Sequence, residues 1–145
     1  MANALYDLAR QSFLSQSPAL DWDTDTIKDM LVDTGNYTVN LATHQYMNTN
    51  TLAAAAKVGT PQTLGSKTVS AGVADAADVT HTAVSGASVE AIVLWKDGGG
   101  GGTSASGTTD PLICYIDTAT GLPVTPNGGD ITVAWDSGSN RIFRL

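Results

Sequence analysis

The chain has one cysteine and two histidines in 145 residues. A lone Cys114 cannot close a disulfide within the chain, and as a nucleophile it would need a histidine partner. It falls in an apolar run, where a reduced core thiol is the plain reading. His44 and His81 share neither HxxxH nor HxH spacing, so each reads as an exposed or hydrogen-bonded loop histidine rather than a ligand or base. No CxxC, HExxH, GxSxG or helix-opening GxGxxG occurs. Charge is scarce too. Charged residues are 14% of the chain, against about a quarter in ordinary soluble domains. The net charge is −7 and thirteen of the fourteen acids are Asp. A chain without a basic face is a poor partner for nucleic acid. No apolar run approaches the roughly 20 residues of a membrane span. The opening MANALYDLARQSF lacks the apolar core and basic flank of a secretory signal, so synthesis in a reducing cytoplasm is expected. The expectation is a non-enzymatic chain with no cofactor, metal, nucleic acid or membrane partner.

What is present points to strands. Apolar residues make up 42% of the chain, enough for one core at this length. Small and β-branched residues dominate, and Asp favours turns and caps over helix interiors. The expected fold is all-β, mainly an antiparallel sandwich or barrel-like body, with a short N-terminal helix and long loops. Residues 1–145 read as a single domain.

The organising stretch is Pro111–Trp135. Leu112–Asp117 reads as an apolar strand after a proline. Asp130–Trp135 alternates Ile131, Val133 and Trp135 with Asp130, Thr132 and Ala134, a period of two. TATGLPVTPNGG between them reads as a long rigid turn closing a hairpin. Val89–Lys96 is apolar on both faces and is expected to be a central, covered strand. Ile27–Val32, Val58–Leu64, Thr68–Ala74 and Asp78–Val84 read as further strands, the weaker ones interrupted by Pro61, Gly65 and Gly72. Tyr37–Met47, YTVNLATHQYM, reads either as an extended segment or, from Asn40, as a cap leading into a short helical turn.

Asn3 is expected to cap a helix running to about Leu14, with Leu5, Leu8, Ala9 and Phe13 near one face. Ser17-Pro18 ends it. Residues 1–18 are thus a helix packed on the sheet or an arm docking on a neighbour. Asp21, Asp23 and Asp25 mimic the start of an EF-hand loop, but Thr26 stands where glycine belongs and Val32 where the bidentate acid belongs. They read as a solvated turn with Trp22 tucked inward. Residues 97–110, DGGGGGTSASGTTD, lack the GK[ST] ending of a phosphate loop and read as a flexible, projecting hairpin tip. Asp136–Asn140 reads as a turn and Arg141–Leu145 as a terminal strand.

DWDTDTIK, VDTGNYTVNLATHQYM, VSGASVEAIVLWKD and Pro111–Leu145 together resemble a family of small structural proteins of tailed bacteriophages. The resemblance implies a virion component, a capsid decoration (cement) protein on the head exterior. Its partners would be the major capsid protein and further copies of itself, as a homotrimer. A body of this kind reaches neighbours through extended segments, and many weak contacts on one shell add through geometry. The contacts are expected from the two chain ends: Leu5, Leu8, Phe13, Arg141, Phe143 and Arg144. A tail or baseplate protein is the first alternative. A virion-exposed carbohydrate-binding module, with Trp22, Trp95 and Trp135 as a stacking platform, is the second.

Overall fold

The computed structural model describes residues 3–104, 107–139 and 141–145. Asn140, the last residue of the expected turn, lies outside them, as do Met1, Ala2, Ala105 and Ser106 of the expected arm and loop. The fold is all-β, sandwich-like, with antiparallel sheets and one short N-terminal helix. The strands are β1 (Ala4–Leu5), β2 (Ile27–Val32), β3 (Lys57–Thr63), β4 (Thr68–Ser70), β5 (Val73–Asp75), β6 (Val79–His81), β7 (Ala91–Lys96), β8 (Leu112–Ile116), β9 (Ile131–Val133) and β10 (Phe143–Arg144); helix α1 is Asp7–Ser15.

The main sheet runs β1-β8-β7-β2-β3. Its centre is β7, where every residue from Ala91 to Trp95 is buried. That is what an unbroken apolar run predicts, since a strand covered on both faces has no polar side to show. A second sheet orders β10-β5-β4, and β6 pairs β9 in a third. One hydrophobic cluster joins residues from all three, including Trp95, Leu31, Ala74, Val79, Val133 and Phe143.

Four expectations fail in instructive ways. The stretch 112–135 is not a hairpin: β8 pairs β1 and β7, whereas β9 pairs β6. The segment between them crosses from sheet to sheet, held by reciprocal Val89–Val124 backbone bonds of 2.8 and 2.9 Å. Thr68–Ala74 is two strands, β4 and β5, joined by Ala71 (φ 50°) and Gly72 (φ 77°). Two consecutive positive φ values suit the right-handed twist of a tight hairpin. Asn3 does not cap α1. Its Oδ1 accepts from the backbone N–H groups of Asp117 (3.1 Å) and Thr118 (2.9 Å), and Tyr6 stands at the N-cap with no side-chain bond to the helix. The Tyr6 ring is buried in the core, so core packing decides that position over capping.

The fourth is the glycine tract, which does not project as a free tip. Asp110 is buried, and its carboxylate accepts from the N–H groups of Gly98 (2.9 Å), Gly100 (3.1 Å) and Gly102 (2.7 Å). The intervening N–H groups, Gly99 (2.9 Å) and Gly101 (3.2 Å), turn to Asp97 Oδ1. Asp97 Oδ2 meets Lys28 at 2.6 Å, and that hydrogen bond holds the Asp97 carboxyl below its ordinary range. Lys57 Nζ donates to the Gly102 carbonyl. Glycine is required here for close approach. A Cβ on Gly98 would fall 2.0 Å from Thr109 O, and one on Gly102 would fall 2.8 Å from Met47 Cγ.

Candidate functional site

The expected contact residues come from the two ends of the chain, and the fold brings the ends together. Alternation along β10 turns Phe143 inward and Arg144 outward. Phe143 lies 5.1 Å from the Trp22 ring, edge-on, and 6.0 Å from Phe13 of α1. These contacts bring α1, β10 and the Asp21–Asp25 turn onto one flank. A cleft of about 310 Å³ is lined there by Leu5, Arg10, Phe13, Leu14, Arg144 and Leu145.

The six expected residues divide by role. Leu5 and Phe143 are buried in the core, and Leu8 and Phe13 are half-buried. Arg141 is paired with Asp75 at 3.2 Å. Arg144 is exposed, and its side chain has no ion pair among the described residues. Two residues not singled out from sequence complete the flank: Leu14, 89% exposed, and Leu145, 60% exposed. Leu14 follows directly on Phe13, so the helical turn of about 100° per residue carries it off the buried stripe. An apolar residue just off a stripe was the available signal.

The acidic turn beside this flank is uneven. Asp25 pairs with Lys96 at 2.8 Å and accepts from the Asp21 N–H at 2.8 Å. Asp21 and Asp23 have no ion pair among the described residues. Hydrogen bonding from Asp23 and Thr24 lowers the Asp21 carboxyl from its ordinary value, and the neighbouring Asp21 raises that of Asp23. Among the described residues no group of three or more His, Cys, Asp or Glu side chains is arranged to hold a metal ion.

A histidine–carboxylate pair does exist, and sequence reasoning missed it. His81 and Asp29 are both buried. His81 Nε2 lies 2.9 Å from Asp29 Oδ2, and Nδ1 lies 3.0 Å from Thr60 O. A carbonyl only accepts, so Nδ1 carries a proton and donates it; a second proton sits between Nε2 and the carboxylate. The Gln62 N–H donates to Asp29 Oδ1 at 3.3 Å. The pair forms because Gly59–Pro61 on β3 stand opposite Met30 alone on β2. That bulge turns the Thr60 carbonyl out of the ladder and toward β6. With both side chains enclosed, the pair cross-links three strands.

The other reactive candidates are similarly enclosed. Burial pushes the Cys114 thiol up to about 12, which leaves almost no thiolate at neutral pH. Trp22 and Trp95 are buried, so the three tryptophans form no platform. Trp135 is half-buried and lines a cleft of about 570 Å³ between β9 and the crossover at 118–120. No protein-family model matches the chain, and no curated protein sequence matches it.

Proposed function

We propose that the chain is a structural component of a tailed-phage virion, a decoration protein bound to the outer surface of the head. The resemblance of Asp21–Lys28, Val32–Met47, Val84–Asp97 and Pro111–Leu145 motivates this reading. The observation that carries it is the terminal flank. Leu14 and Leu145 hold apolar surface in water, and they flank one cleft with Arg10 and Arg144. Exposed apolar surface rimmed by charge marks a protein-binding face. The body behind it is a covered antiparallel sheet, suited to presenting that face rigidly. The buried His81–Asp29 pair and the buried Cys114 thiol have a structural role in this reading, with no reaction assigned to them.

The test is binding to purified heads that lack the protein. Deleting residues 1–16 is unsuitable, because Leu5 and Tyr6 belong to the core. Leu14→Glu leaves the core intact and is expected to lower occupancy on heads by about tenfold or more. Electron microscopy of the decorated particle reads the location. Density on the tail or baseplate would replace this reading with the tail alternative, and no density anywhere on the particle would end it.

A further inference from the structure

Two sheets end on one groove. β1 is the outermost strand of the main sheet and β10 the outermost of the second, so each has a neighbour on one side only. Leu5 of β1, Phe143 and Arg144 of β10, and Arg10 of α1 line a single cleft of about 190 Å³. The ladders fix which backbone groups turn outward. Tyr6 N–H donates to Ile113 O, and Leu145 N–H to Gly72 O. Bonded and non-bonded pairs alternate along an antiparallel ladder. Leu5 and Arg144, one residue earlier in each case, therefore turn N–H and C=O away from β8 and β5. Among the described residues no backbone hydrogen bond reaches either of them on that side. Such an edge can take up an extended chain.

Charge narrows what that chain is. Two of the seven basic residues, Arg10 and Arg144, line this cleft, and no Asp or Glu does. Arg10 bonds Asp7 at 2.8 Å, but both side chains are more than half exposed, and such pairs hold weakly. The apolar cleft at Phe13, Leu14 and Leu145 adjoins this one, sharing Leu5, Arg10 and Arg144.

We propose that an extended segment of a different protein, carrying a carboxylate next to an apolar side chain, docks along the free edges at Leu5 and Arg144. The carboxylate meets Arg144 and Arg10, and the apolar side chain enters the cleft at Phe13 and Leu14. The inference rests on the decoration reading and deepens it by giving the chemistry of the capsid segment that holds the protein. A second copy of this chain is a poor donor of such a segment. Among the described residues the strands that carry an acid are β2, with Asp29, and β5, with Asp75. Both are already paired on two sides.

The experiment is binding of the full chain to purified heads that lack it, followed by image reconstruction of the decorated particle, with circular dichroism to confirm that each variant folds. Arg144→Glu is expected to weaken binding by about tenfold or more, and Arg10→Gln by less. Wild-type binding should weaken as salt rises. Lys67→Glu makes the same change of net charge outside the cleft and should bind as wild type does. The reconstruction should show an extended capsid segment against β10, with an acidic side chain at Arg144. Full occupancy by Arg144→Glu, an equal loss with Lys67→Glu, or a groove left empty or filled by a neighbouring copy would overturn the docking site and leave the decoration reading standing. A wild type that binds no head would end the decoration reading, and the capsid segment with it.

Discussion

The glycine loop and the terminal flank handle charge in opposite ways. In the loop, five consecutive N–H groups from Gly98 to Gly102 are divided between the carboxylates of Asp110 and Asp97, and Lys28 neutralises Asp97. Both carboxylates there have partners in their own chain. On the flank, the side chains of Arg144, Asp21 and Asp23 have no ion pair among the described residues. A buried polar group must be satisfied at once or it costs stability. An exposed one can wait for water, or for a neighbour. The first region therefore belongs to the fold, and the second is free of that constraint. Substitutions should separate them, with stability falling in one and association in the other.

The largest loss of stability is expected at the His81–Asp29 pair, the most deeply enclosed of the internal partnerships. His81→Phe keeps a ring in the cavity but leaves the Asp29 carboxylate buried without its partner and Thr60 O without its donor. Breaking one side of a buried pair costs about 3–5 kcal/mol. Urea denaturation should show that loss as a lower midpoint with the slope unchanged. A midpoint close to wild type would mean that the cavity admits water, and the contrast with the flank would weaken.

Asp110→Asn comes next. An amide has one accepting oxygen, and its NH₂ would point at N–H groups now facing the second carboxylate oxygen. Leaving one or two buried donors without an acceptor costs about 1–3 kcal/mol each. The matching change on the flank, Asp21→Asn with Asp23→Asn, should stay within about 0.5 kcal/mol of wild type, as surface changes do. Equal losses at both sites, measured in the same denaturation experiment, would erase the distinction between the regions.

Sequence made the strongest strands legible and left the polar architecture dark. Strands β2, β7 and β8 are where their residues suggest, whereas Tyr37–Met47 stands open between an extended segment and a turn capped at Asn40; Asn40 Oδ1 accepts from Ala42 and Thr43 N–H. Trp22 is inward as its setting among solvated aspartates suggests. The pairing of β9 is illegible because a short alternating strand fits many edges, and β6 lies about fifty residues upstream. His81 reads as a loop histidine for the same reason, since its carboxylate is 52 positions away and its carbonyl partner exists only through a bulge. The glycine tract reads as flexible because glycine composition is judged locally, while its order comes from Asp110 beyond the run of glycines. Two aspartates bracketing it, Asp97 and Asp110, are the available clue. On the flank, Arg144 is legible from the terminal strand, but Leu14 and Leu145 matter through exposure, which no run of residues states.

The smallest effect is expected at His44, and it tests whether a half-buried group follows the rule of the loop or of the flank. His44 Nδ1 receives the Asn40 N–H at 3.3 Å and lies 3.0 Å from the Tyr37 hydroxyl. A backbone N–H can only donate, so Nδ1 accepts and the ring is neutral with its proton on Nε2. The Tyr37 hydroxyl then donates to the same nitrogen, and Tyr6 donates to Tyr37 across 2.8 Å in the core. Charging the ring would place a proton on Nδ1 and break both bonds to it. Desolvation acts in the same direction, so the His44 pKa is lowered from its ordinary value of 6.5. With the folded value below the unfolded one, the unfolded chain binds more protons in the interval between them. The His44 contribution is therefore complete above the ordinary value and declines as pH falls through it, levelling off below the folded value. Exposure to solvent keeps the decline shallow. Aspartates titrate lower and are common to wild type and His44→Gln, so the difference between their melting temperatures from about pH 7.5 to about pH 5 isolates the ring. Wild type should lose ground against the variant as pH falls across that range. Parallel curves would mean that His44 is solvated well enough to take a proton freely, as the flank charges are.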